Sequence, residues 1–194
     1  MAHIARFFWW RHLRAESSSF VFLHRRGKVV SSGRGLSFWF FPLSASIAEV
    51  PMDNRELPIL FHGRSKDFQK ITTQGVIGWR AVDPQALADR IDFTVDLETG
   101  EWLKQPLEQV SQLLTELAQQ AAWAYLAHHT LQEVMVDGVE QLRDLIGGAV
   151  RDDEALAELG IEIVSTRVSA IRPVAEVERA LQTPTREEIQ QEAD

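Results

Sequence analysis

The histidine and acidic side chains of this sequence lack the spacing that a metal site requires. His128 and His129 are the only adjacent histidines. Neighbouring residues on a helix point about 100° apart, so the two rings cannot hold one metal ion as ligands at i and i+4 would. The acidic run at residues 152–154 lacks the alternating ligands and central glycine of a calcium loop. We interpret that run as a solvated helix face.

Motifs for nucleophilic catalysis and for phosphate binding are also missing from the sequence. The serines at 17–19 have no nucleophile-elbow glycines around them, and no Gly-x-x-x-x-Gly-Lys loop occurs. The glycine-rich stretch at 31–35 lies between predicted strands, away from any helix dipole, and we interpret it as a hairpin turn. There is no cysteine. We assign no catalytic residue, metal ligand or cofactor and predict that the chain is not an enzyme, since an acid–base hydrolase needs paired groups.

The unusual feature of the sequence is a cluster of aromatic and basic residues near the N-terminus. Tryptophan beside arginine is typical of a membrane interface, where the ring lies at headgroup depth and the cation meets lipid phosphate. Two alternatives remain: residues 38–41 could form a buried core strand, and residues 7–10 could form a packed N-terminal helix. The predicted membrane contacts are Arg6, Phe7, Phe8, Trp9, Trp10, Arg11, Arg14, Phe38, Trp39, Phe40 and Phe41.

Charge divides the chain into a basic beginning and an acidic body. The first 42 residues hold seven Arg or Lys and only one acid, Glu16, for a net charge of +6, whereas the remainder carries 13 basic and 27 acidic residues. Such a chain should orient on an anionic surface. Nucleic-acid binding is the alternative reading, although the acidic body argues against it. It would use Arg6, Arg11, Arg14, Arg25, Arg26, Lys28 and Arg34, with base stacking on Trp9 and Trp10.

The period of the apolar residues changes along the chain and predicts an α+β fold. Residues 20–82 alternate as strands divided by glycine and proline, with a hairpin turn at Arg26-Gly27, and predict a curved, mostly antiparallel sheet. Spacings of three and four then predict helices at about 106–127 and 136–159, packed on one face of the sheet, the second interrupted by two glycines at 147–148. A strand follows at 161–171, and because its apolar parity changes at Val164 we expect a bulge or an exit from the sheet near Ser165.

The C-terminal residues predict a helix that leaves the domain. Its apolar positions, for which we predict contacts between copies, are Val174, Val177, Leu181 and Ile189. The residues from Arg186 onward are polar and helix-prone, as in the opening turns of a long solvent-exposed or coiled-coil helix. The longest apolar runs, at 7–10 and 36–43, fall short of the roughly 20 residues that a transmembrane helix needs.

In the order of its motifs the chain resembles the stomatin, prohibitin and flotillin (SPFH, or band-7) domain. Arg26-Gly27-Lys28, followed by Gly33 to Leu36 and Pro42, is similar to the opening hairpin of the family. Val82-Asp83-Pro84 resembles its strand-to-helix junction. Residues 159–163, Ile171-Arg172-Pro173 and residues 176–181 resemble its closing strand and the root of its helical stalk.

The resemblance implies a noncatalytic scaffold that forms homo-oligomers, as rings or cages, and organises or encloses membrane proteins or a membrane microdomain. The expected partners are further copies of the chain, membrane lipid and an unidentified membrane-protein client, a protease being one candidate, with no nucleic acid. The expected location is the cytoplasmic face of a membrane, held peripherally. The expected organisation is a basic aromatic segment at 1–17, the domain at 18–173 and the root of the stalk at 174–194.

Overall fold

The computed structural model describes residues 3–173, which form an α+β fold with three small antiparallel sheets. In the described part of the chain the strands are β1 His3–Phe7, β2 Trp10–Arg14, β3 Ser19–Arg25, β4 Lys28–Arg34, β5 Ser37–Phe40, β6 Ala45–Pro51, β7 Arg55–Arg64, β8 Lys70–Ala81 and β9 Ile161–Pro173. The helices are α1 Pro84–Arg90, α2 Pro106–Leu126, α3 Leu131–Arg151 and α4 Glu154–Glu158, with a 3₁₀ turn at Pro42–Ser44. The predicted contacts at Val174, Val177, Leu181 and Ile189 lie outside the described residues.

The chain divides into two compact units, each built from three stretches of sequence. Among the described residues, the first unit comprises 3–55, 79–113 and 152–164, and the second comprises 56–78, 114–151 and 165–173.

Two sheets form the strand layers of the first unit. Their strand orders are β1-β2-β5 and β4-β3-β6, and every pairing in them is antiparallel. Fully buried apolar side chains from both sheets share one core, because alternate residues of a strand face the same side. That core consists of Leu13, Ala15, Val21, Leu23, Phe40, Ile47 and Val95.

Helix caps in the first unit explain where its short helices begin and end. The Asp83 carboxylate accepts hydrogen bonds from the N–H groups of Gln85 and Ala86, and Pro84 begins α1. Gly160 follows α4 with φ at +71°, a left-handed conformation in which glycine has no Cβ penalty. Its carbonyl oxygen accepts from the N–H groups of Val82 and Asp83. The predicted junctions at 83–84 and 160 are therefore confirmed.

The second unit contains helix α3 and most of the third sheet, whose strand order is β7-β8-β9. The buried side of α3 repeats at three and four residues, from Leu131 through Val134, Gly138, Leu142 and Ile146 to Val150. A Cβ atom at Gly138 would lie only 3.3 Å from Cδ1 of Ile171. The missing side chain therefore lets α3 approach β9 closely.

Two expectations about the elements are wrong, those for the single sheet and for the second long helix. The strands form three sheets rather than one curved sheet: β5 pairs with β2, β6 pairs with β3, and β7, β8 and β9 form a sheet of their own. Of the alternatives left open for residues 7–10, the packed helix is not observed, because Phe7 ends β1 and Trp10 begins β2. The second long helix begins at Leu131, continues through Gly147 and Gly148 and ends at Arg151, before a separate α4. In β9 the buried residues Ile161 and Ile163 have one parity, whereas the half-buried residues between 166 and 170 have the other, so the change of parity lies near Ser165, and the bulge there stays a prediction.

Candidate functional site

The sheet β1-β2-β5 brings together the two aromatic runs of the sequence. β1 and β2 form a hairpin in which Phe7 pairs with Trp10. β5 then pairs with β2, so that Trp39 lies opposite His12. The rings of Phe7 and Trp39 are 6.1 Å apart between centroids, and those of Trp10 and Phe41 are also 6.1 Å apart, both in edge-to-face geometry.

The two faces of this sheet differ sharply in exposure. Phe38 and Phe40 point toward the core, where Phe40 is fully buried, so neither belongs to the exposed surface. The opposite face and the hairpin turn carry the residues that we name the aromatic surface: Phe7, Phe8, Trp9, Trp10, Trp39 and Phe41. Their exposed fractions are 66% for Phe7, 93% for Phe8, 75% for Trp9, 50% for Trp10 and 52% for Trp39, while Phe41 is half-buried.

The turn that presents this surface is unusual in its residue types. Phe8 and Trp9 alone connect β1 to β2, and Phe8 has φ at +52°. Two-residue hairpin turns favour glycine and asparagine at such positions, because a Cβ atom is strained there. Large rings at this turn therefore do not serve the stability of the hairpin.

The arginines beside the aromatic run differ in their exposure and in their partners. The guanidinium of Arg11 donates to the backbone carbonyl of Leu97 and to Glu98, at 2.9 Å, and its side chain is only 11% exposed. Arg6 reaches the same Glu98 carboxylate at 3.6 Å. Arg14 is exposed, but it lies at the end of β2 away from the turn. Arg11 is thus used within the first unit.

An ordered loop holds Glu98 in reach of both arginines. The carboxylate of Asp96 accepts hydrogen bonds from the N–H groups of Thr99, at 2.8 Å, and Glu98, at 2.6 Å. These bonds favour the charged form and hold the pKa of Asp96 below its ordinary value. The loop geometry around Glu98 is therefore fixed by local hydrogen bonds.

A second group of cations lies at the same end of the first unit as the aromatic surface. Arg25, Arg26 and Lys28 flank the turn between β3 and β4 and are all exposed; with Gly27 we name them the basic turn. Arg25 pairs with Ala45, which follows Phe41 by four residues and so lies within about 14 Å of it. Leu43, 90% exposed, lies between them in the chain. Sequence reasoning missed Leu43 and did not join the basic turn to the aromatic run, because both depend on how β6 pairs with β3.

The paired histidines and the acidic run of the sequence have local hydrogen-bond partners. Each ring of His128 and His129 is hydrogen-bonded through Nδ1 to a carbonyl one helical turn earlier, at 2.8 and 2.9 Å. Asp153, from the acidic run, caps α4 by accepting from the N–H of Leu156. In the part of the chain that the structure describes, no group of three or more His, Asp or Glu side chains could hold a metal ion.

Within residues 3–173, none of the helices combines the length and apolar character needed to cross a membrane.

A comparison against known protein families assigns most of the chain to one family. The chain matches the SPFH domain / Band 7 family over residues 16–194. The chain belongs to this family. The SPFH domain is in general associated with membrane-linked, noncatalytic scaffolds, and its proteins commonly oligomerise. No curated protein matches the chain.

Proposed function

We propose that this chain is a noncatalytic, oligomerising scaffold that lies peripherally on the cytoplasmic face of a membrane and organises membrane proteins or a membrane microdomain. Family membership supports the general role. The observation that carries the membrane contact is the aromatic surface, in which five large rings are half or more exposed on one sheet face and its turn.

Three properties of the aromatic surface fit a membrane interface better than a site for a small ligand. Its most exposed rings, Phe8 and Trp9, form the turn between β1 and β2. Tryptophan and phenylalanine contribute most of the partition free energy of interfacial segments. The basic turn adds cations near the rings, and each cation near an anionic surface contributes about 1 kcal/mol.

The uneven distribution of charge gives the attached molecule a preferred orientation. The basic first 42 residues hold both the aromatic surface and the basic turn, and the rest of the chain has an excess of 14 acidic residues. An anionic bilayer attracts the first part and repels the second over about one Debye length, roughly 8 Å at physiological salt. The aromatic surface therefore faces the lipid.

Assembly is the second part of the proposal. Val174, Val177, Leu181 and Ile189 recur at a helical spacing in a segment rich in charged residues. We assign them to contacts between copies in the root of a helical stalk at 174–194. Linking several weak membrane contacts in one assembly raises the effective affinity without any new contact. A ring or cage around a membrane-protein client is the form of scaffold that this assembly favours.

Vesicle flotation and light scattering on one preparation test the two parts together. We expect the full chain to float with anionic vesicles and to form larger species than the chain ending at Pro173. A gel-shift titration with single-stranded RNA and duplex DNA, run over a range of salt, tests the nucleic-acid alternative. The proposal is wrong if the chain stays with the soluble fraction and shifts the nucleic acid. Equal masses with and without residues 174–194 would refute the assembly part.

A further inference from the structure

Neither the fold nor the aromatic surface explains a groove in the first unit. It has a volume of about 700 Å³, which lies in the range of small-molecule sites. Helix α1 packs against β6 on one side of it, and the basic turn lines the other. Phe22 and Phe93, both almost fully buried, form part of its lining together with Ala48.

The groove carries opposite charges on its two sides. Arg26, from the basic turn, contributes a guanidinium that forms no ion pair with the described residues 3–173. Asp89, on α1, contributes a carboxylate whose hydrogen-bond donor is the neutral amide of Gln85, at 2.8 Å. A second carboxylate, Asp92, is neutralised by Lys104 at 2.9 Å. One cation and one anion in the groove thus remain available to a ligand.

The rim of the groove is continuous with the predicted membrane contact. Leu43 lines the groove and is two residues from Phe41, whose ring meets that of Trp10. A molecule bound in the groove of a membrane-attached protein would therefore lie at the level of the lipid headgroups.

We propose that this groove binds the headgroup of an ethanolamine phospholipid, with its phosphate at Arg26 and its ammonium at Asp89. Guanidinium is the preferred partner of phosphate, because it offers several N–H donors to the oxygens. A primary ammonium donates hydrogen bonds to a carboxylate, whereas the trimethylammonium of choline has none to donate. Choline sites use the faces of several aromatic rings, and the only rings of phenylalanine, tyrosine or tryptophan in this lining are those of Phe22 and Phe93. The serine headgroup brings a further carboxylate, which the charge of Asp89 repels.

The inference rests on the proposed membrane attachment, and a soluble probe separates the two. Calorimetric titration of the full chain with glycerophosphoethanolamine should show binding that is about tenfold tighter than with glycerophosphocholine, the difference expected from one charge-assisted hydrogen bond. Asp89→Asn should abolish that difference. Arg26→Gln should weaken both compounds, and Glu101→Gln, an exposed carboxylate of the same unit outside the groove, should leave both unchanged.

Vesicles then identify the source of the headgroup. The wild type should float better with phosphatidylcholine vesicles that contain phosphatidylethanolamine than with phosphatidylcholine alone, and Asp89→Asn should remove only this preference. Three results would overturn the inference even if the protein still floats with phosphatidylcholine vesicles. They are equal binding of the two soluble compounds, no binding of either compound, and an unchanged preference in Asp89→Asn. Binding of glycerophosphoethanolamine without a vesicle preference would overturn the assignment to a lipid. Failure of the wild type to float with any vesicle would instead refute the proposed membrane attachment.

Discussion

Replacing Trp9 and Trp10 with alanine should detach the protein from membranes without unfolding it. The two side chains are 75% and 50% exposed, and a tryptophan side chain presents about 200 Å². About 250 Å² of ring surface is thus free to leave the water, which at about 25 cal/mol per Å² corresponds to about 6 kcal/mol for complete transfer. Rings at headgroup depth leave water only in part, so we expect one-third to one-half of that value, or about 2–3 kcal/mol.

This free energy corresponds to a partition coefficient about 30- to 150-fold lower for the double variant. Flotation against a series of lipid concentrations measures it, at low and at high salt, since an apolar contribution should persist when charges are screened. The double variant Leu60→Ala and Val136→Ala is the control, because both side chains are exposed and lie outside the aromatic surface. Unchanged partitioning of the tryptophan variant, with its folded circular dichroism retained, would refute the assignment of these rings to the membrane.

Three further predictions concern stability. Arg11→Gln should lower the free energy of unfolding by about 1–3 kcal/mol, because it removes charge-assisted hydrogen bonds from a nearly buried guanidinium. Chemical denaturation measures this loss, and an equal loss in Arg14→Gln would contradict the reasoning. Gly160→Ala should lower the free energy of unfolding by about 2 kcal/mol or more. The reason is that φ is +71° and the new Cβ would lie 2.6 Å from a carbonyl oxygen. Gly148→Ala is the matched control: its Cβ meets nothing within 4 Å in α3, so it should stabilise by about 0.5–1 kcal/mol. Asp92 has a pKa lowered to about 2, first by the side chain of Thr94 and then by that of Lys104. The stabilisation that Asp92 contributes is complete above the unfolded pKa of about 4 and is lost as the pH falls toward 2. In Asp92→Asn the free energy of unfolding should therefore depend less on pH in that interval. An unchanged dependence on pH would refute the assignment.

The features that sequence reasoning predicted correctly are those that local chemistry determines. The turn at Arg26-Gly27, the cap at Asp83 and the glycine at 160 each depend on residues within a few positions of one another. Helix α2, from Pro106 to Leu126, lies within a residue of its predicted range, because its apolar spacing is regular. Local signals of this kind need no knowledge of the tertiary structure.

The features that it missed depend on pairings between distant residues. Nothing near residues 37–40 indicates that β5 pairs with β2, which is about 25 residues earlier, yet this pairing divides the strands among separate sheets. Four consecutive large residues hid the alternation that buries Phe40 and exposes Trp39. Arg11 reads as a free cation in sequence, and only the fold brings it to Glu98, 87 residues away. Predicting which residues form an interaction surface thus required the pairing register of the strands as well as the amino-acid composition.

Backbone strain indicates which exposed residues are present for their side chains. In the described chain, Phe8, Arg26 and Phe68 are the non-glycine residues with positive φ, and all three lie in connections between consecutive strands. Glycine or asparagine would relieve the strain at each of these positions, so the side chain must contribute something that the turn itself does not need. For Phe8 we infer insertion among lipids, and for Arg26 we infer contact with a lipid phosphate. Substituting glycine at either position should therefore preserve or raise stability while weakening attachment, a combination that a purely structural role could not produce.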